Sequence, residues 1–268
     1  MIIIKFSDNI EHNYNYFEEI IKLDNYNDII YINCRLQSLI RLPELPKLLE
    51  YFNCSYNSLS SLPELPNSLK TLMCSSNKLS SLPELSHSLQ SLYCNYNKIS
   101  SLPELPNSLT HLYCGYNKLS NLPELPNTLE TLWFVNNNIS SLQQLPNSLI
   151  TIYCDNNNLS SLPKLPNSLT NLRCTYNNLS SLPELPNSIT FINYCHNPIY
   201  IYIYKYFNDN YIEYNEYQKK MKKVFAIKIG DWFLECRYNP KYKYCRKRLM
   251  KEYEECYGAS PYIRRTMI

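Results

Sequence analysis

One twenty-residue frame governs this chain. The stretch "LKTLMCSSNKLSSLPELSHS" at 69–88 returns as "LQSLYCNYNKISSLPELPNS" and again as "LTHLYCGYNKLSNLPELPNT". The frame LxxLxCxxNxLxxLPxLPxx starts at Leu49, Leu69, Leu89, Leu109, Leu129, Leu149 and Leu169. Ile29 opens a weaker copy and Ile189 a truncated one. Strict repetition at this period lays down one structural unit per copy, each packed only on its neighbours. Chain length then says little about domain number, because such an array grows by addition.

Within a unit, the alternation around Leu72 and Cys74 predicts a short strand with those two side chains inward. Leu69, Leu79, Leu82 and Leu85 complete one rung of core. A column of asparagines follows the strand: Asn57, Asn77, Asn97, Asn117, Asn137, Asn157, Asn177 and Asn197. A side-chain amide both donates and accepts, so this column is assigned a structural role, satisfying turn backbone between rungs. The return leg "SSLPELPNS" is excluded from helix, because Pro63 and Pro66 fix φ and remove donors. It is expected to be extended or polyproline-like.

Seven of the 11 cysteines occupy one column: Cys34, Cys54, Cys74, Cys94, Cys114, Cys154 and Cys174. Neighbouring strands lie ~4.8 Å apart, too far for unstrained disulfides between facing Cβ atoms. Buried free thiols used as small apolar fillers fit better, and they suit a reducing compartment. The alternative, a stacked thiolate metal site, lacks histidine partners and close CxxC pairs. No metal and no cofactor are expected.

Residues 29–198 resemble the short leucine-rich repeats of bacterial secreted effectors, and also leucine-rich repeat proteins of giant DNA viruses (Mimivirus-like). The viral resemblance agrees with a composition rich in Asn, Ile, Lys and Tyr, all with A+T-rich codons. It implies a leucine-rich repeat solenoid with a parallel β-sheet on the concave face and extended legs on the convex one. It implies binding of an unidentified protein, a host protein in the viral case, with no catalysis by the repeats. Some bacterial effectors add a ubiquitin-ligase domain with a Cys-x-Asp nucleophile. No Cys-x-Asp occurs in this sequence and the segment after the repeats is far shorter than that domain, so a ligase-like effector is the remote alternative.

Side chains flanking the inward Leu and Cys are expected to point onto the concave face. One column holds Tyr93, Tyr113, Trp133 and Tyr153 as an aromatic ladder, bordered by His111, Asp155 and Arg173. The column after the cysteines, running from Arg35 through Gly115 and Asp155 to Cys195, is expected to point the same way. Tyr56, Tyr96, Tyr116 and Tyr176 lie where they would widen the ladder. Tyr, Trp and Arg dominate binding hot spots. The competing reading is that adjacent aromatics stabilise the sheet, helped by the codon bias. The repeat at 129–148 is the most irregular, with Trp133, Phe134 in the Cys column, Val135 and Gln143–Gln144. Phe134 is expected to cost about 1–3 kcal/mol unless its rung shifts. The centre of recognition is placed at Tyr113–Trp133–Tyr153. The Glu column on the return legs reads as a solvated outer edge.

The ends differ from the repeats. Residues 1–28 are expected to cap the first rung, with "IIIKF" as a strand and "YFEEIIKLDNY" as a helix carrying Phe17, Ile20, Ile21 and Leu23. Residues 199–268 are expected to form a basic, tyrosine-rich helical C-terminal cap. It would open with "IYIYIYKYF" as a last strand, followed by helices over 213–238 and 241–257 separated by Asn239–Pro240. Residues 1–198 hold 11 Lys and Arg against 15 Asp and Glu, a net of −4, whereas 199–268 hold 15 against 8, a net of +7. Nucleic-acid or anionic-surface binding by that segment is therefore the second functional reading. Four scattered histidines with no nucleophile beside them, and only 3 glycines for any phosphate loop, argue against an enzyme. No apolar run reaches the ~18 residues of a membrane span. "MIIIKFSDNIEHN" makes a poor secretion signal. The protein is expected to be intracellular, in host cytoplasm.

Overall fold

A computed structural model describes residues 1–207, 210, 213–217, 219 and 220. The chain opens with an antiparallel hairpin, β1 (Ile2–Lys5) and β2 (Glu11–Tyr14). Each repeat then contributes one three-residue strand: β3 (Tyr31–Asn33), β4 (Tyr51–Asn53), β5 (Thr71–Met73), β6 (Ser91–Tyr93), β7 (His111–Tyr113), β8 (Thr131–Trp133), β9 (Thr151–Tyr153), β10 (Asn171–Arg173) and β11 (Phe191–Asn193). These form a single sheet in the order β2-β1-β3-β4-β5-β6-β7-β8-β9-β10-β11. From β3 onward every pair is parallel, offset by one frame length, as in Tyr93 opposite Tyr113 and Tyr113 opposite Trp133. The twenty-residue period is thus realised as one rung per copy.

The core is the stack of inward columns. Phe52, Leu72, Leu92, Leu112, Leu132 and Leu172 are fully buried, as are the column thiols and the opening leucines Leu49 to Leu169. Phe134 is also fully buried, and β8 keeps its pairing on both sides, so the rung takes the larger ring without breaking the ladder. The return legs contain no helix. Each closes through a tight turn in which the opening leucine donates back three residues, as in Leu69 N–H to Pro66 O at 3.0 Å.

Two side-chain ladders tie rung to rung. Asn117 Nδ2 donates to Cys94 O (3.0 Å) and Cys114 O (3.1 Å), while its Oδ1 accepts from Ile99 N–H (3.0 Å). The same bonding recurs from Asn57 to Asn197. The second ladder was not anticipated from the sequence. Hydroxyls of Ser68, Ser108, Thr128, Ser148, Ser168 and Ser188 donate to carbonyls of the preceding rung, for example Ser68 to Leu49 O at 2.8 Å. The first repeat has Leu48 at this place, exposed, so the hydroxyl ladder begins one rung later.

At the N-terminal end, β1 pairs antiparallel with β3 and covers the first rung with Ile2 and Ile4. The expected helix is a single turn, α1 (Phe17–Ile20), burying Phe17 and Ile20 and leaving Ile21 exposed. Beyond it the chain closes successive i to i+3 turns, Leu23 N–H to Ile20 O and Tyr26 N–H to Leu23 O, which end the helical path. At the other end one expectation is corrected. Residues 199–207 are not a last strand but part of helix α2 (Pro198–Phe207). Proline is pre-organised for the first helical turn. Ile199 and Ile203, four apart, supply one buried face, while Ile201, Tyr202 and Tyr206 are exposed. Ile199 N–H bonds Leu179 O (3.0 Å), and Tyr200 packs on Tyr194 with centroids 5.9 Å apart, so α2 is fastened to the final repeats. A second compact unit starts at Tyr211, in which 213–217 and 219–220 are helical. The rest of the expected helices at 213–238 and 241–257, and the basic segment "KYKYCRKRLMK", lie outside the described residues. Among the described residues no helix is long and apolar enough to cross a membrane.

Candidate interaction face

The strands put the middle residue of each triplet in the core and the outer two on the opposite face of the sheet. Strand pairing therefore sets Tyr93, Tyr113, Trp133 and Tyr153 side by side, one rung apart and partly exposed. Tyr93 and Tyr113 stack at 4.6 Å and 9°, whereas Trp133 leans 48° from Tyr113 at 6.3 Å. Burial, with the neighbouring phenols Tyr93 and Tyr153 adding to it, holds the Tyr113 hydroxyl above its ordinary value, so it stays a donor through neutral pH. Arg173 closes the row, its guanidinium 5.4 Å from the Tyr153 ring centroid.

His111 and Asp155 are brought to the face but engaged separately. His111 Nδ1 lies 2.8 Å from Thr110 Oγ1. Asp155 is only 3% exposed. One carboxylate oxygen accepts from Thr175 N–H (2.8 Å) and Thr175 Oγ1 (2.7 Å), and the other pairs with Arg173 Nε at 3.0 Å. Asp155 therefore acts on the face through the guanidinium it steadies. Its burial belongs to a wider departure from expectation. The column after the cysteines does not point outward as a whole: Ser55, Gly115, Val135, Asp155 and Thr175 are buried. The strand ends two residues earlier, and the chain is already turning when it reaches this column. Side chains there bond to the next rung instead, as Asn95 Oδ1 does to Gly115 N–H at 2.8 Å.

The residue after that column adopts the left-handed conformation in every repeat, at φ 58° for Tyr56, 56° for Tyr96, 54° for Tyr116 and 53° for Tyr176. These tyrosines are exposed and make a second row beside the first. Tyr96 and Tyr116 stack at 4.2 Å and 13°, Tyr176 stacks on His196 at 4.0 Å, and Tyr116 lies 6.0 Å from Trp133. Trp133 is thus the ring that joins the two rows. Its seat is Gly115. A Cβ there would come within 2.8 Å of Trp133 Cζ3 and 2.8 Å of the Val135 carbonyl oxygen. One of 3 glycines in the chain, one rung from the ladder's tryptophan, was the available sequence signal for this seat. Gly115→Ala is expected to cost about 1–3 kcal/mol and to dislodge the indole. Urea unfolding and the near-UV circular dichroism of the aromatics measure the two effects.

Among the described residues no group of His, Cys, Asp and Glu is arranged to hold a metal ion. The column thiols are buried, and Cys154 Sγ donates to Arg173 O at 3.1 Å. Burial lifts the Cys34, Cys94 and Cys174 thiols from 9.0 to about 12, so they are neutral and unreactive at physiological pH.

A parallel sheet built from three-residue strands, Leu and Cys inward, an asparagine ladder and extended return legs define a leucine-rich repeat solenoid. The chain belongs to the leucine-rich repeat proteins. The family described as leucine rich repeats in two copies matches residues 87–127. Among solved structures, YopM from Yersinia enterocolitica WA-314 is 33% identical with a TM-score of 0.50, covering 63% of this chain and 47% of that one. A Shigella effector leucine-rich repeat domain is 36% identical with a TM-score of 0.53, covering 57% and 71%. The functional domain of InlJ from Listeria monocytogenes, which includes a cysteine ladder, shares the fold at 23% identity and a TM-score of 0.51, covering 65% and 46%. The chain thus spans about half the length of the Y. enterocolitica protein. No curated protein matches it.

Proposed function

We propose that this protein is a non-catalytic scaffold that binds a protein partner across its strand face, centred on Tyr113, Trp133 and Tyr153. The observation that carries this reading is the in-register aromatic row, partly exposed, with a tilted tryptophan seated on Gly115 and Arg173 at its end. Contiguous exposed apolar surface and a Tyr–Trp–Arg composition are the marks of an interface core. The likeness to bacterial effector repeats supports the same use of the fold. His111 and Asp155 are each held by other groups, which speaks against an acid–base pair on this face. The stack of neutral buried thiols suits a reducing compartment, and we place the protein in the cytoplasm of a host cell on that ground.

Replacing Tyr113 and Trp133 together by alanine is expected to abolish capture of the partner from cell extract while leaving the β signal in circular dichroism unchanged. Loss of hot-spot rings of this kind costs about 2–4 kcal/mol each, or more than thirtyfold in affinity. Retention of the same proteins, identified by mass spectrometry, by parent and double variant would refute the reading.

A further inference from the structure

The left-handed column poses a question that sheet packing does not answer. A side chain bearing Cβ is strained there by about 1–2 kcal/mol, and asparagine tolerates the conformation better than tyrosine. The chain itself uses asparagine in this column at Asn136 and Asn156, with φ of 55° and 54°. Both residues have A+T-rich codons, so composition does not choose between them. Stacking Tyr96 on Tyr116 returns part of the strain. It leaves both rings exposed beside Trp133, which links five rings into one cluster: Tyr93, Tyr113, Trp133, Tyr116 and Tyr96.

What this cluster offers is set by how its rings are arranged. Tyr93 and Tyr113 spend their facing surfaces on each other, as do Tyr96 and Tyr116. Outward they present ring edges, which carry partial positive charge, and phenolic hydroxyls. Two residues beyond the left-handed column stand Lys78, Lys98 and Lys118, one per rung, exposed, and with no ion pair among the described residues. The acidic column of Glu64, Glu84, Glu104 and Glu124 lies on the return legs instead. Three ammonium groups repeated at the ~4.8 Å rung spacing repel one another and are relieved by an anion that runs along them. Single-stranded nucleic acid needs free ring faces on which to stack its bases. Carboxylates need only the hydroxyls, ring edges and ammonium groups that are present.

We propose that this rim, Tyr96, Tyr116, Lys78, Lys98 and Lys118 with Trp133 at its margin, binds an extended acidic segment of a protein, rich in Asp or Glu. The proposal rests on the protein-binding reading of the strand face and names the chemistry of what is bound. The test uses the full chain and a fluorescein-labelled peptide of alternating Glu and Ser, with a Gln–Ser peptide and labelled oligo-dT as comparisons, read by anisotropy. The Glu–Ser peptide is expected to bind at low salt and to weaken as salt rises. Changing Lys78, Lys98 and Lys118 to Gln is expected to weaken it about tenfold or more. Tyr96→Asn with Tyr116→Asn, which keeps a residue suited to the backbone, should do likewise. Equal binding of the Gln–Ser peptide, tighter binding of oligo-dT, or unchanged affinity in both sets of variants would overturn the proposal. A partner lost by Tyr113→Ala/Trp133→Ala but kept by the lysine variant would leave the strand face standing and remove the acidic rim.

Discussion

Raising the pH from 9 toward 12 is expected to unfold the solenoid. The Cys34, Cys94 and Cys174 thiols have an ordinary value of 9.0 and are held at about 12 in the fold by burial, and burial moves Cys54, Cys74, Cys114 and Cys154 the same way. Above pH 9 the unfolded chain loses thiol protons that the folded chain keeps. Stability contributed by the neutral thiols is therefore complete below pH 9 and is lost as pH climbs toward the folded value. Each thiol removes about 1.4 kcal/mol per pH unit in this window. The three thiols with values near 12 together remove roughly 4 kcal/mol by pH 10, and the other four add to it. Against a typical stability of about 5–15 kcal/mol this is decisive. Urea titrations followed by circular dichroism at successive pH values give the slope. A stability that stays flat from pH 8 to about 11 would show that the column thiols are not shielded as described. Iodoacetamide labelling resolved by peptide gives the kinetic counterpart, with column thiols reacting only on unfolding.

Asn137→Ala is expected to lower stability by about 2–6 kcal/mol. The amide donates to Cys114 O (3.1 Å) and Phe134 O (3.0 Å) and accepts from Leu119 N–H (3.0 Å), all in the interior. Alanine orphans Leu119 N–H at about 1–3 kcal/mol. Cys114 O and Phe134 O keep the amides of Asn117 and Asn157, so each of those two lost bonds costs about 0.5–1.5 kcal/mol. The neighbouring Asn138 is exposed, and Asn138→Ala should change stability by less than about 0.5 kcal/mol. The contrast separates the ladder from asparagine content in general. Because rungs hold only their neighbours, weakening a central one should also split the urea transition into two. A single transition at the parent midpoint would contradict the bonding described.

The period made most of the fold legible. Once one frame is aligned with the next, Leu72 and Cys74 must share the core and Tyr93, Tyr113 and Trp133 must stand in line, whatever their individual preferences. The asparagine ladder was readable for the same reason, since a residue with both donor and acceptor recurs where the strand ends. What escaped lies where strand alternation stops applying. Asp155 follows the strand by two residues, and extending the alternation to it put a buried carboxylate on the surface. The left-handed turn carries Tyr96 and Tyr116 rather than glycine, so the usual compositional sign was missing. "IYIYIYKYF" alternates as a strand does, yet Ile199 and Ile203 also suit a helix, and Pro198 decided between them. The seat of Trp133 depended on a glycine in the adjacent rung, a pairing visible only when the two are superposed.

The hairpin at the start has a consequence for how such a gene changes in length. Because β1 and β2 already occupy the sheet beyond β3, a further repeat cannot pair with β3 without displacing them. Duplicating or deleting one whole sixty-base segment is therefore silent to both ends only in the interior, where each copy hands on the same bonds it receives. Such an event would slide Trp133 and its neighbours along the molecule as a block, so recognition and size are free to evolve separately.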